Sequence, residues 1–317
     1  MSACASRAAV PEVRRLAAVI VNYRTPELVL DCVTSLAPDC DPAQDLIVVV
    51  ENGSEDDSLE RLRSGLAMHR DAAVRLLVAD HNGGLGAGIN LAVREVKARG
   101  YLLLNSDTLV RRGAAARLLG VLQEDPTIGL VSPRLEWPDG TPQESCFRFP
   151  TPWSELINSS GTGPIRSLLA RFDVPLPVGD RRCEPDWTSF AAVLVRAEVF
   201  ERVGFVDEAF FMFFEDVDFC RRARRAGFRI VHEPAARIVH LRGGSSDVKA
   251  LAGERKRLPR YYYRARSYYF RKTYCAMGLL ATNVLWTAGH AIARIRERFG
   301  SKRPHAPEGA LVDTWRA

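Results

Sequence analysis

Four apolar runs in the first third of the chain each end in polar residues: LAAVIVNY (16–23), DLIVVVENGS (45–54), AVRLLVADHN (73–82) and YLLLNSDT (101–108). Short continuous runs of this kind, closed by Asn, Asp, Gly or Ser, predict buried parallel strands whose carboxyl ends open into loops. Between them, helical patterns are expected over 26–36 behind Thr25-Pro26, over 57–68 behind Ser54, and over 86–99 ended by Gly100. The order βαβαβαβ implies an α/β fold, an α/β/α sandwich with a mainly parallel sheet and right-handed crossovers. Ligands on such sheets collect at the carboxyl ends of the strands, so the four polar endings are expected to share one cleft.

Beyond Pro126 the pattern loosens into proline-rich connections, then DWTSFAAVLVRAEVFERVG predicts a further strand and helix. The stretch FFMFFEDVDFCRRARRAGF (210–228) predicts a strand-like aromatic run, a turn and a helix closed by Gly227. FRIVHEPAARIVHLRGGSS carries another strand that ends near His240. From Lys249 the chain changes character, which divides it into an N-terminal tail (1–15), a catalytic domain (16–248) and an extension (249–317). In the extension, ERKRLPRYYYRARSYYFRKTY interleaves Arg264, Arg266, Arg271 and Lys272 with aromatic rings, and Thr273 to Ala293 follows without a charged residue. Met277, Leu280, Val284, Ala288 and Ile292 form an apolar stripe opposite Asn283, Thr287, His290 and Arg294. An interfacial amphipathic helix on an anionic membrane surface is the expectation, with core packing and a true span as the alternatives.

Composition changes this picture in two ways. With 317 residues, 47% hydrophobic and 26% charged, the chain can bury a full core. Its seven scattered cysteines, none spaced C-x-x-C, argue against a disulfide framework and a structural zinc site and point to a reducing compartment. The charge is segregated: residues 221–303 hold 21 Lys+Arg against 4 Asp+Glu, leaving 23 against 34 in the remainder. A basic C-terminal third implies phosphates, as nucleic acid, anionic lipid or a diphosphate substrate. No RNA- or DNA-binding module accompanies it, so no nucleic-acid partner is expected.

Several residues could carry chemistry. Glu215, Asp216 and Asp218 follow the aromatic run, either as helix caps or as functional carboxylates, with Asp218 the one expected to cap the helix. In HNGGLGAGIN the glycines do not fit G-x-G-x-x-G, because Ile89 stands where the third glycine belongs; a nicotinamide enzyme is disfavoured, although the backbone could still lie close to a ligand. Asp107, at the end of LLLNSDT, could cap a helix or bind a hard cation on a diphosphate. His240 could be structural, a second metal ligand or a phosphate contact.

In order, VIVNYRTPE, VVVENGSEDDS, HNGGLGAGIN, LLLNSDT, DWTSFAAVLVRAEVFERVGFVDEAFFMFFEDVDFCRRARRAG and IVHLRGGS resemble the inverting nucleotide-sugar glycosyltransferases of family 2, especially bacterial rhamnosyltransferases. The resemblance spans about residues 16–246 and implies a GT-A fold. It also implies that Tyr23 and Glu51 hold the nucleoside, with Arg24, Asn82, Gly84, Asn105 and Ser106 beside the donor. Asp107 would hold Mg²⁺ or Mn²⁺ on the diphosphate, His240 would be a second metal ligand, Asp216 the base, and Trp187 and Glu215 would face the acceptor. Glu51 stands where the family carries aspartate, and the metal motif keeps only its last acid. The implied function is transfer of a sugar, rhamnose from dTDP-rhamnose in the first instance, to a lipid-linked or other cell-envelope glycan. The expected location is peripheral, on the cytoplasmic side of the cell membrane. The alternatives are another donor, such as UDP-galactofuranose or another UDP- or GDP-sugar, and a non-catalytic membrane-surface glycan-binding module.

Overall fold

The computed structural model describes residues 13–243, 248–300 and 304–317. Its first part is the expected alternation: β1 (Arg14–Asn22), α1 (Pro26–Leu36), β2 (Asp45–Glu51), α2 (Ser58–Leu66), β3 (Val74–Val78), α3 (Leu85–Glu95) and β4 (Ala98–Asn105). There follow β5 (Thr108–Val110), α4 (Ala114–Glu124), β6 (Ile128–Glu136), β7 (Cys146–Phe147), α5 (Pro152–Ser160), α6 (Gly163–Leu168), β8 (Trp187–Thr188), β9 (Ala192–Arg196) and α7 (Ala197–Val203). The last elements are α8 (Glu215–Arg225), β10 (Arg229–His240), α9 (Val248–Gly253), α10 (Arg260–Gly300) and α11 (Ala310–Arg316).

The main sheet runs β3-β2-β1-β4-β9-β6-β10-β5. It is mainly parallel; β9 is antiparallel to β4 and β6, and β5 to β10. Both faces are covered. Leu16, Ala18 and Ile20 of β1 join the core under α1 and α4, while Ala17, Val19 and Val21 join the core under α3, α7 and α8. A strand buried on both sides has no polar alternation, which is why these runs read as continuous apolar segments.

Three local expectations are corrected. The helix expected over 86–99 stops at Glu95, and Gly100 lies inside β4 opposite Leu16, because pairing with β1 from Arg14 onward claims these residues. The aromatic run 210–214 is not a strand: Phe213 (φ 71°) and Phe214 (φ 67°) are left-handed, which breaks the pleat and sends successive rings to separate partners. Phe213 stacks parallel to Tyr261, and Phe214 stacks on Tyr269 at 5.3 Å between centroids.

The third correction concerns the basic and aromatic stretch. Arg266 is buried and bonded to Glu155 of α5 (Nε to Oε2, 2.6 Å) and to Asn283, while Lys272 pairs with Asp207 (2.6 Å) and Asp218 (2.8 Å). Tyr263, Tyr269 and Phe270 are buried as well. These contacts hold α10 to the rest of the protein and take Arg266 and the three buried rings away from a headgroup layer, whereas Arg264 and Arg271 are exposed. Within α10 the backbone breaks at Cys275 (φ 61°). After the break, Thr282, Asn283, Trp286, Gly289 and Ala293 face inward, and Met277, Leu280, Val284, Ile292 and Ile295 are exposed. By length and composition α10 could also cross a membrane.

Candidate active site

The carboxyl edge of the sheet opens into a cavity of about 330 Å³. Each of the first four strands contributes to it at or beyond its end, through Tyr23, Asn52, Asn82 and the triplet Asn105, Ser106 and Asp107. Facing them are Trp187, Glu215, Asp216 and, from the end of β10, His240 and Arg242. The polar strand endings therefore do share one cleft. Arg24 and Glu51 do not line it.

Glu51 is buried, and its carboxylate is used locally: it accepts from Asn22 Nδ2 (2.8 Å), Ser54 N (2.6 Å) and Ser54 Oγ (2.8 Å). It shapes the loop that carries Asn52, whose amide donates to Asn82 Oδ1 and to the Gly84 carbonyl, both at 3.1 Å. Arg24 is exposed and left-handed (φ 57°); it donates to the Ser54 carbonyl and lies over the Tyr23 ring at 5.2 Å. The close backbone approach expected of the glycines is made mainly to protein. A Cβ on Gly84 (φ 86°) would stand 2.0 Å from the Phe211 carbonyl oxygen, and one on Gly88 would meet Val21. Gly84 thereby ties the α3 entry to the aromatic run, while still lining the cavity.

At the end of β4, Ser106 accepts from Thr25 Oγ1 (3.0 Å), and the Asp107 carbonyl accepts from Leu241 N (2.9 Å). That second bond places the Asp107 carboxylate beside the end of β10. His240 Nε2 lies 3.4 Å from Asp107 Oδ1, and both residues are over 90% buried. His240 Nδ1 has no hydrogen-bond partner among the described residues. No cluster of three or more His, Cys, Asp or Glu that could hold a metal ion occurs among the described residues. The pair nevertheless fits a divalent cation whose other positions are filled by diphosphate oxygens and water, because such ions need few protein ligands when a substrate phosphate completes the shell.

The start of α8 carries the acidic cluster, and its members differ. Asp218, expected as a cap, instead binds Arg222 Nε (2.8 Å) and Lys272. The N-cap position is Phe214, whose left-handed backbone turns the chain into the helix without a capping side chain. Glu215 is buried with Oε2 unpartnered among the described residues. Burial, with the charge of Asp216 adding to it, holds its carboxyl well above the usual carboxylate range. Asp216 is only half-buried and accepts from Val217 N (2.8 Å).

A second cavity, of about 760 Å³, adjoins the first. Asp216, Trp187, Phe147, Phe213 and Glu144 line both spaces. Trp187 is fixed there by stacking on Phe147 (4.2 Å, 18°) and by donating Nε1 to the Arg148 carbonyl. The far side is formed by Ile157, Asn158, Arg166, Tyr262 and His305, contributed by α5, α6, α10 and the segment before α11. Sequence reasoning missed Asn52, Phe147 and Glu144. Asn52 sits inside a motif already singled out, whereas Phe147 and Glu144 belong to a proline-rich stretch with no periodicity to mark them.

Comparison with known proteins adds the following. A family model described as "Glycosyltransferase like family 2" matches residues 13–264. The low-salt glycan biosynthesis hexosyltransferase Agl10 of Haloferax volcanii is 27% identical over 220 residues, covering 68% of this chain and 63% of that protein. The N-acetylglucosaminyl-diphospho-decaprenol L-rhamnosyltransferase of Mycobacterium tuberculosis is 26% identical over 216 residues, covering 63% and 67%. The chain thus spans about two thirds of the length of these curated relatives. Among solved structures, the mannosyltransferase PcManGT from Pyrobaculum calidifontis, in complex with GDP-Man and Mn²⁺, superposes with a TM-score of 0.58 at 16% identity, covering 96% of this chain and 80% of that one. GalNAc-T7 with UDP, GalNAc and Mn²⁺ gives 0.59 at 14% identity, covering 90% and 54%. These superpositions establish a GT-A fold with its C-terminal long helix.

Proposed function

The chain belongs to the glycosyltransferase-like family 2, and from that premise we propose that it is an inverting transferase moving a sugar from a nucleotide donor to a polyprenyl-diphosphate-linked or other cell-envelope glycan. Rhamnose from dTDP-rhamnose is the donor put forward, a choice supported by the mycobacterial relative's name and by the motifs. The observation that carries the reading is the position of Asp216, on the wall common to two cavities. An inverting displacement needs one base between a bound donor and a bound acceptor, and a residue lining both spaces meets that requirement.

The first cavity takes the donor. Tyr23, Asn82, Gly84, Asn105 and Ser106 line the nucleotide side, while Glu51 and Arg24 act behind it by fixing the loops. Asp107 and His240 would hold Mg²⁺ or Mn²⁺, which when bound supplies positive charge to the donor diphosphate. The second cavity takes the acceptor, with Trp187 offering a ring face and Tyr262 the opposite side. The acceptor hydroxyl oxygen attacks the anomeric carbon as the bond to the diphosphate oxygen breaks, and the hydroxyl proton passes to Asp216. Burial raises the pKa of Glu215, and in its protonated form it can donate a hydrogen bond to a sugar hydroxyl where an ionised carboxylate could only accept.

Peripheral attachment to the cytoplasmic face of the membrane is part of this proposal. It is supported by the exposed Met277, Leu280, Val284, Ile292 and Ile295, continued by Phe299 and by Leu311, Val312 and Trp315 of α11. The test is a screen of dTDP-, UDP- and GDP-sugars with membrane lipid extract, scored by nucleoside diphosphate release. Release with dTDP-rhamnose alone supports the donor assignment; release only with another sugar nucleotide replaces it; release with none overturns the transferase reading.

A further inference from the structure

Four carboxyl groups line the first cavity, those of Asp107, Glu144, Asp216 and the buried Glu215. Arg242 is the one arginine or lysine among its described lining residues. Apart from any metal ion held by Asp107 and His240, a donor diphosphate entering this space meets carboxyl groups and a single guanidinium. The placement of that cation therefore decides how an anion can bind there.

Arg242 is held in place by more than its own backbone. It stands two residues past the end of β10 in a left-handed conformation (φ 62°), which a side chain on an L-residue adopts only when its surroundings impose it. Its Nε donates to Gln143 Oε1, and its guanidinium lies over the Trp137 ring at 5.3 Å. Gln143 is buried, and its Nε2 donates to the His240 carbonyl at 2.7 Å. One amide side chain thus joins Arg242 to the strand end that carries His240, beside Asp107. Neither residue lies in a helix, so no periodicity marks the pair in the sequence.

The geometry points to Arg242 as the residue that binds the donor diphosphate and takes up the charge left on it, with Gln143 as the positioning residue that aims the guanidinium. This rests on the transferase reading. When the bond between the anomeric carbon and the diphosphate oxygen breaks, its electron pair stays on that oxygen, so the leaving group becomes more anionic. A fixed guanidinium with forked N–H donors stabilises this growing charge more than the ground state. Trp137 contributes a ring face that restrains the guanidinium plane without competing for its N–H groups.

The experiment measures calorimetric binding of dTDP, UDP and GDP and of the matching monophosphates, in EDTA and again with Mn²⁺, for the wild type, Arg242→Gln, Arg242→Lys, Gln143→Ala and the double variant Arg242→Gln/Gln143→Ala. Arg242→Gln should weaken the preferred diphosphate at least about 10-fold in EDTA while changing the monophosphate less than about 3-fold. Arg242→Lys should recover part of the loss, since charge remains but the fork does not. In turnover, Gln143→Ala should lower kcat more than it raises donor KM, and the double variant should be no worse than Arg242→Gln, because the two act as one unit. Wild-type diphosphate affinity in both Arg242 variants would overturn the assignment, as would a wild type that binds no nucleoside diphosphate. Additive losses in the double variant overturn the role of Gln143. If no sugar nucleotide turns over yet diphosphate binding still depends on Arg242, the transferase reading fails and the diphosphate site stands. Thermal unfolding of each variant identifies any that fail to fold, in which case Arg242→Lys decides.

Discussion

The two cavities that meet at Asp216 are built in opposite ways. The first is assembled from the ends of successive parallel strands, each continuing a buried apolar run into a short polar loop. The second is assembled from the consecutive helices α5 and α6 together with α10 and residue His305, which lie far from them in the chain and meet them only by packing. Hydrogen bonds between neighbouring loops set the first, among them Asn52 to Asn82 and Leu241 to Asp107. Aromatic stacking and a buried ion pair set the second, through Phe147 on Trp187 and Arg266 on Glu155. A strand-end site leaves each ligand-facing group on a rigid, separately anchored element. A helix-walled site can differ in shape and chemistry without disturbing the sheet.

The largest expected effect lies on the shared wall. Asp216→Asn keeps size and most hydrogen bonding but loses basicity, so turnover should fall by about 10²- to 10⁴-fold with donor affinity little changed. Steady-state kinetics together with donor titration would check it, and a mild Asp216→Asn beside a dead Glu215→Gln would move the base to Glu215. Next, Asp107→Ala should cost about 10²-fold or more in turnover, and chelation of the wild type should reproduce that loss. Full wild-type activity in excess EDTA would remove the metal from the first cavity.

Tyr262→Ala tests the separateness of the second cavity. On the proposed acceptor site, losing this ring should raise acceptor KM about 5-fold and leave donor KM unchanged, as expected for about 1 kcal/mol from an aromatic contact. An equal rise in both constants would show that the two spaces work as one. The smallest effect is a pH dependence of stability at Glu215. Its folded pKa is raised, so the stabilisation is fully present below the ordinary glutamate value of about 4.3 and is lost as pH rises through the folded pKa. Relative to Glu215→Gln, the wild type should therefore lose melting temperature from acid toward neutral pH; parallel curves would mean that Glu215 ionises normally.

Much of the first cavity was legible because its information is local. The apolar runs and their polar endings identify β1 to β4 and place Tyr23, Asn82 and Asp107 at one edge, and Thr25-Pro26 fixes the start of α1. Glu51 shows the limit of such reading. Its position at a strand end was right, but whether its carboxylate faces a ligand or Ser54 depends on how the loop folds back. Asp218 was misread for a related reason. Its partner Lys272 is distant in sequence, so the local signal favoured a cap.

By itself, then, the sequence determined the buried parallel strands, the cleft at their carboxyl ends and the acidic start of α8, because hydrophobic period and chain punctuation act over a few residues. Only the tertiary structure decided that β9 enters antiparallel between β4 and β6, that the aromatic run bends instead of pleating, and that Arg266 and Lys272 are internal ties. It also decided that Asp216 faces two cavities and that Gln143 carries Arg242 beside His240. Each of these depends on contacts between residues far apart in the chain, whose free energy exists only once the layers have packed.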